Sequence, residues 1–166
     1  MRRRTLDGLE HLSDQTATPD DLAAIRWLNS NISGRPHILE AAEPQSNPSA
    51  KQSNTAYGET GRVSAYTGLP AIIGWDNHEA QWRGWDKYWN KIQVRQKIVR
   101  EIYQSEDIER TARLLDDYAI SLVFIGRLER AVYPAADLEK FKALGQEVFR
   151  SGKTVVYSID PIAAGY

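Results

Sequence analysis

The chain has 166 residues, 42% of them hydrophobic, enough for a core of ordinary size, and it reads as one domain over residues 1–166. Twenty-one basic residues against 22 acidic ones leave a formal charge of −1, so no overall field recruits DNA or RNA, and no nucleic-acid partner is expected. The absence of cysteine excludes disulfides, thiolate nucleophiles and cysteine-ligated zinc, and apolar runs such as Ile120 to Gly126 fall far short of the ~20 residues that cross a bilayer.

Thr18-Pro19-Asp20-Asp21 opens a helix, with a hydroxyl to cap, proline at the first helical position and acids facing the positive dipole end. Leu22, Ile25, Trp27, Leu28 and Ile32 form its apolar stripe, and it is predicted to run to about Asn31. Ser33-Gly34-Arg35-Pro36 then stops it ahead of a short strand, His37 to Ala41. Residues 43–60 are rich in Pro, Ser, Asn and Gln and nearly free of large apolar groups, which predicts a long mobile loop. Arg62 to Tyr66 and Ala71 to Trp75 read as short strands about the turn-like Thr67-Gly68-Leu69-Pro70. His78 to Tyr103 is helical in pattern, divided at Gly84.

The second half alternates more plainly. Ser105 caps a helix carrying Ile108, Ala112, Leu114, Leu115 and Tyr118, followed by a strand buried on both faces, Ile120 to Ile125. Pro134 to Leu144 is a further helix, ended by Gly145, and Glu147 to Phe149 and Thr154 to Ile159 form a hairpin about Ser151-Gly152. The predicted fold class is α/β: a mixed, mainly parallel sheet flanked by helices, with a C-terminal β-hairpin.

Most of the unusual chemistry lies between Gly74 and Trp85. His78-Glu79 is similar to the opening of a zinc-protease helix, but the second histidine would stand at position 82, where Trp82 is found. With His11, His37 and His78 as the only histidines, neither a metal nor another cofactor is expected. Asp76, His78 and Glu79 are either an acid/base group or short polar residues that cap a helix, and capping is the commoner use. Trp82, Trp85 and Trp89 stand at i, i+3 and i+7, a stripe that packs into a core more often than it stacks on sugar rings. Arg62 and Arg83 can clamp a phosphate or carboxylate ligand, or pair with Asp or Glu of the chain itself. Lys87, Lys91, Arg95, Lys97 and Arg100 make a basic helical face, expected to be solvated, with an anionic lipid contact as the alternative. Gly126 follows the buried strand, where α/β sheets place ligand loops, but no glycine-rich phosphate fingerprint surrounds it.

Thr5 to Leu9, Ala24 to Asn29, Ile38 to Ala41, Gly61 to Pro70, Gly74-Trp75, His78-Glu79, Gln81 to Gly84 and Tyr118 to Arg130 together resemble the C-terminal part of the Chlor-Arch-YYY family. These are large multi-pass membrane proteins of bacteria and archaea. The resemblance covers nearly the whole chain and is most specific from Gly61 to Gly84, while the loop over 43–60 looks longer than the family pattern. It implies a soluble extracytoplasmic domain of a protein whose membrane portion is similar to lipid-linked-sugar glycosyltransferases of the oligosaccharyltransferase and mannosyltransferase type. The essential acid of such enzymes lies in a loop of that membrane portion, so no catalytic residue is expected here. Arg2 to Arg4, if set beside a membrane helix, pull towards the cytoplasmic side, a weak signal for one short flank. The expected partners are the membrane portion itself and a glycan or lipid-linked sugar, met by Arg62, Trp75, Asp76, His78, Glu79, Trp82 and Arg83. The competing expectations are a free-standing α/β enzyme using Asp76, His78 and Glu79, and a purely structural docking module.

Overall fold

The computed structural model describes residues 18–42, 59–134 and 138–159. The loop expected at 43–60 therefore falls, but for Glu59 and Thr60, outside the described residues. Helix α1, Pro19–Asn31, forms as its cap predicts: the Thr18 hydroxyl accepts the Asp21 N–H at 3.2 Å, and Pro19 supplies the first turn. Strand β1 is His37–Leu39, shorter than expected. It lies parallel to β2, Ile120–Ile125, which pairs antiparallel with β4, Thr154–Ser158. Strand β3, Gln146–Ser151, pairs antiparallel with β4 and completes the four-stranded order β1-β2-β4-β3. The C-terminal hairpin is present, but the sheet is not mainly parallel, since one pair of neighbours is parallel and the others antiparallel.

The largest departure falls between the first two strands of the sheet. Arg62–Thr67 is a helix, α2, not a strand, and Ala71–Trp75 contributes only an isolated parallel bridge from Ala71 to Ile38. Val63, Ala65 and the aromatic Tyr66 mimic a strand pattern. What decides the matter is tertiary. Gly61 and Gly68 bracket the segment with left-handed φ of 71°, and both oxygens of the Glu40 carboxylate take the N–H groups of Val63 and Ser64 at 2.8 Å. Helices α3, Asp76–Arg83, and α4, Trp85–Gln104, are divided at Gly84 as predicted, with φ there at 89°. Helix α5, Ile108–Asp117, is capped by Asp107 in place of Ser105. A short helix that the sequence reading lacks, α6, Arg127–Val132, follows β2. The helix expected over Pro134–Leu144 is reduced to a 3₁₀ turn, Leu138–Lys140, and one turn of helix, α7, Phe141–Leu144, with 135–137 outside the described residues.

Alternate residues of the strands feed two cores, as the two-residue period of a pleated sheet requires. Ile38, Leu122, Phe124 and Val156 pack with Leu22, Ile25 and Leu28 of α1 and Val63 of α2. Leu39, Val123, Ile125, Val155 and Tyr157 pack with Ile92, Val99, Ile102 and Tyr103 of α4 and Leu114 and Leu115 of α5. Helices therefore cover both faces, and β2 is buried along its length except at Ser121.

Candidate functional site

The carboxyl ends of the parallel strands, where open α/β sheets commonly bind ligands, are filled by the chain's own charges. Glu129 of α6 turns back so that one oxygen accepts Gly126 N–H at 2.8 Å and the other accepts Ala41 N–H at 2.9 Å. Arg62 donates to both oxygens, at 2.8 and 3.2 Å, and to Asp21 at 3.3 Å. The Thr154 hydroxyl donates to Asp21 at 2.6 Å, and the Arg127 N–H does so at 3.3 Å. Two backbone amides and a guanidinium thus surround a carboxylate in the way they would surround a phosphate. An internal anion occupies the position, which is the physical reason no glycine fingerprint is needed there.

The network sets the charge state of its members. Burial pulls the Arg62 guanidinium down, but the charge and hydrogen bond of Glu129, with Asp21 and Glu40, outweigh it and raise it above its ordinary value. Burial pushes the Glu129 carboxyl up, and the Arg62 charge and hydrogen bond, with the Ala41 amide, overcome this and hold it below 4.5. For Glu40 burial prevails over Arg62 and the Val63 and Ser64 amides, so its carboxyl lies above 4.5.

The residues proposed from sequence fall into two groups. Arg62, 2% exposed, faces this network and takes the carboxylate-pairing alternative, which directs it away from solvent. The others follow the α3 segment. Trp75 and His78, both half-buried, meet edge to face with ring centroids 5.9 Å apart. Glu79 accepts the Gly74 N–H at 3.0 Å and lies 3.8 Å from Arg95, so one of its oxygens stabilises the entry to the helix. The side chain of Asp76 lies outside the described residues. Trp82 is 82% exposed, against the expectation that it joins a buried stripe. Gly84 is the cause: it breaks the helix between Trp82 and Trp89, so the i, i+7 register no longer holds; Trp89 packs against the core, and the side chain of Trp85 lies outside the described residues.

A cationic cluster that includes Arg83, the residue after Trp82, gathers on Tyr88. Arg83 lies 5.0 Å from the ring centroid, and Lys91 and Arg95 each 5.9 Å, with Arg95 also donating to the Tyr88 hydroxyl at 3.1 Å. Arg83 and Lys91 are exposed, as are Val94, Lys97 and Arg100 further along α4. Clefts are also present among the described residues. One of 430 Å³ opens at the amino end of β2, among Leu115, Asp116, Ala119, Ile120, Ser121 and Ile159, and contains none of the expected residues. Another, of 310 Å³, has Trp75 in its wall. Arg35 beside it, and the acids Asp21, Glu40 and Glu129, were missed in the sequence. Glu129, three residues after Gly126, has the spacing of a residue reaching back to its own helix start, which is a readable signal.

Among the described residues no group of three or more His, Asp and Glu is placed to hold a metal ion, and no helix is long and apolar enough to cross a membrane. No protein-family model matches the chain, and no curated protein or solved structure is significantly similar to it.

Proposed function

We propose that the chain is a non-catalytic recognition domain, carried on the extracytoplasmic side by a membrane glycosyltransferase-like protein, that meets a phosphate-bearing lipid through the ridge of α3 and α4. The observation that carries this is Trp82, 82% exposed and followed directly by Arg83, one of three cations assembled on Tyr88. A large exposed indole is costly to keep in water, and tryptophan is the residue that favours the boundary between water and acyl chains. Cations beside it add attraction to a phosphate headgroup, about 1 kcal/mol each near an anionic surface. The resemblance to the tail of a glycosyltransferase-like membrane protein supports a lipid-linked sugar as the bearer of that phosphate.

The enzyme alternative is weakened by what its groups already do. Glu79 is bonded to Gly74 and close to Arg95, and His78 lies against Trp75. Flotation with phosphatidylcholine vesicles carrying a polyprenyl phosphate tests the proposal. Trp82→Ala is expected to lower partitioning at least about tenfold, from the loss of roughly 1.5–3 kcal/mol of apolar burial. Arg83→Ala combined with Lys91→Ala is expected to lower it comparably and to flatten its salt dependence. Unchanged partitioning of both variants would remove the ridge from the account, and a ridge that bound only the parent's membrane portion would make the domain a docking module.

A further inference from the structure

The 310 Å³ cleft lies between α2 and the segment Leu69–Trp75, beside the β1 edge that Pro70 and Ala71 cover by the Ile38 N–H bond at 2.8 Å and the Ile38–Ala71 bridge. We infer that this cleft, with Arg35 at its mouth and Trp75 as its wall, binds a monosaccharide that carries a phosphate or carboxylate group. Its charge is one-sided: among the described residues, Arg35 is the only ionisable one lining it. Arg35 is exposed, and among the described residues its one hydrogen bond is a long 3.5 Å contact to the Gly68 carbonyl and it has no carboxylate partner. A guanidinium held over a cleft by so weak a tether keeps its planar fork available for a two-oxygen anion.

The rest of the lining suits a ring. Trp75 is half-buried with its indole edge along Gly61, where an added Cβ would stand 3.4 Å from Nε1. Gly61 and Gly68, both at φ 71°, leave bare backbone at either end of α2, and nothing lies within 4 Å of the Cβ direction of Gly68. The Ser64 hydroxyl donates to the Gly61 carbonyl at 3.1 Å, which leaves its lone pairs to accept from a sugar hydroxyl. A volume of 310 Å³ stands at the small end of the ~300–1,000 Å³ typical of ligand pockets, which fits one sugar ring and not an oligosaccharide. The inference does not rest on the ridge of α3 and α4: none of Trp82, Arg83, Tyr88 and Lys91 lines this cleft.

Titration of the full chain, observed through the Trp75 indole N–H resonance, tests the assignment with glucose 1-phosphate, glucuronate, glucose and inorganic phosphate as probes. Saturable shifts with the two anionic sugars, and affinities for glucose and for inorganic phosphate each at least about tenfold weaker, are expected. Arg35→Ala, at an exposed position, is expected to weaken both anionic sugars at least about tenfold and leave glucose unchanged. Arg113→Ala, at an exposed position of α5 that lines neither surface, is expected to bind them like the parent, and vesicle flotation scores the lipid contact separately, so the two failures are distinguishable. The inference is overturned if inorganic phosphate binds as tightly as the sugar phosphate, if glucose binds as tightly as glucuronate, if Arg35→Ala titrates like the parent, or if no probe moves the resonance.

Discussion

At the scale of single residues, Arg62 is held in the fold by acids that the sequence does not single out. Glu129 receives Arg62 and the amides of Gly126 and Ala41 while fully buried, so removing its charge leaves Arg62 facing only Asp21 and Glu40. Glu129→Gln is expected to cost about 3–5 kcal/mol, the range for breaking a buried pair from one side. Urea unfolding at neutral pH measures it. The carboxyl of Glu129 is lowered in the fold, so its contribution is present above the ordinary value of 4.5 and is lost as pH falls through the folded value. The difference between parent and Glu129→Gln should therefore narrow on acidification below that value, and a constant difference would contradict the pairing. Glu40, raised by burial, has the opposite sign: its contribution is complete below 4.5 and declines as pH rises through its folded value. Close packing makes a second prediction. A Cβ on Gly126 would stand 2.3 Å from Asp21 Oδ1 and 2.7 Å from Phe124 Cε1, so Gly126→Ala is expected to lower stability by about 1–3 kcal/mol, read as a fall in melting temperature.

At the scale of elements, local signals are readable at the start of α1 and at the break between α3 and α4, and misplace the cap of α5 by two residues. Thr18-Pro19 starts α1 and Gly84 divides α3 from α4 because caps and left-handed glycines act within a few residues. One misreading has its cause in a long-range partner. Helix α2 is held by Glu40, 23 and 24 positions before the amides it accepts, and no local pattern in Arg62 to Thr67 announces that. Trp82 was assigned to a buried stripe on a register that Gly84 interrupts, although the glycine itself had been recognised. Lys140 gives an element-scale test. It is 6% exposed and its ammonium donates to the carbonyls of Tyr103, at 3.0 Å, and Ser105, where the 20-residue helix α4 ends. Lys140→Met leaves these acceptors without their cation and is expected to cost about 1–3 kcal/mol, whereas an unchanged thermal midpoint would mean the contact is neutral.

At the scale of the whole molecule, the strands around β2 and the closing hairpin could be read from apolar runs and turn residues. The direction of each strand could not, because β1 and β2 are separated by four helices and a stretch with little apolar character. The candidate site was legible only as a composition. The sequence concentrates aromatic and charged residues between Gly74 and Arg95, and the fold divides the expected set between an internal role for Arg62, a helix-entry role for Glu79 and a surface role for Trp82 and Arg83. That division, with charge spent inside and the aromatic and cationic ridge kept outside, underlies the proposed function. Its most direct test is the partitioning of the unaltered chain between phosphatidylcholine vesicles with and without polyprenyl phosphate, measured at rising salt. The account predicts binding that requires the phosphate and weakens as salt rises. Equal partitioning onto both vesicle types, or none onto either, would contradict it.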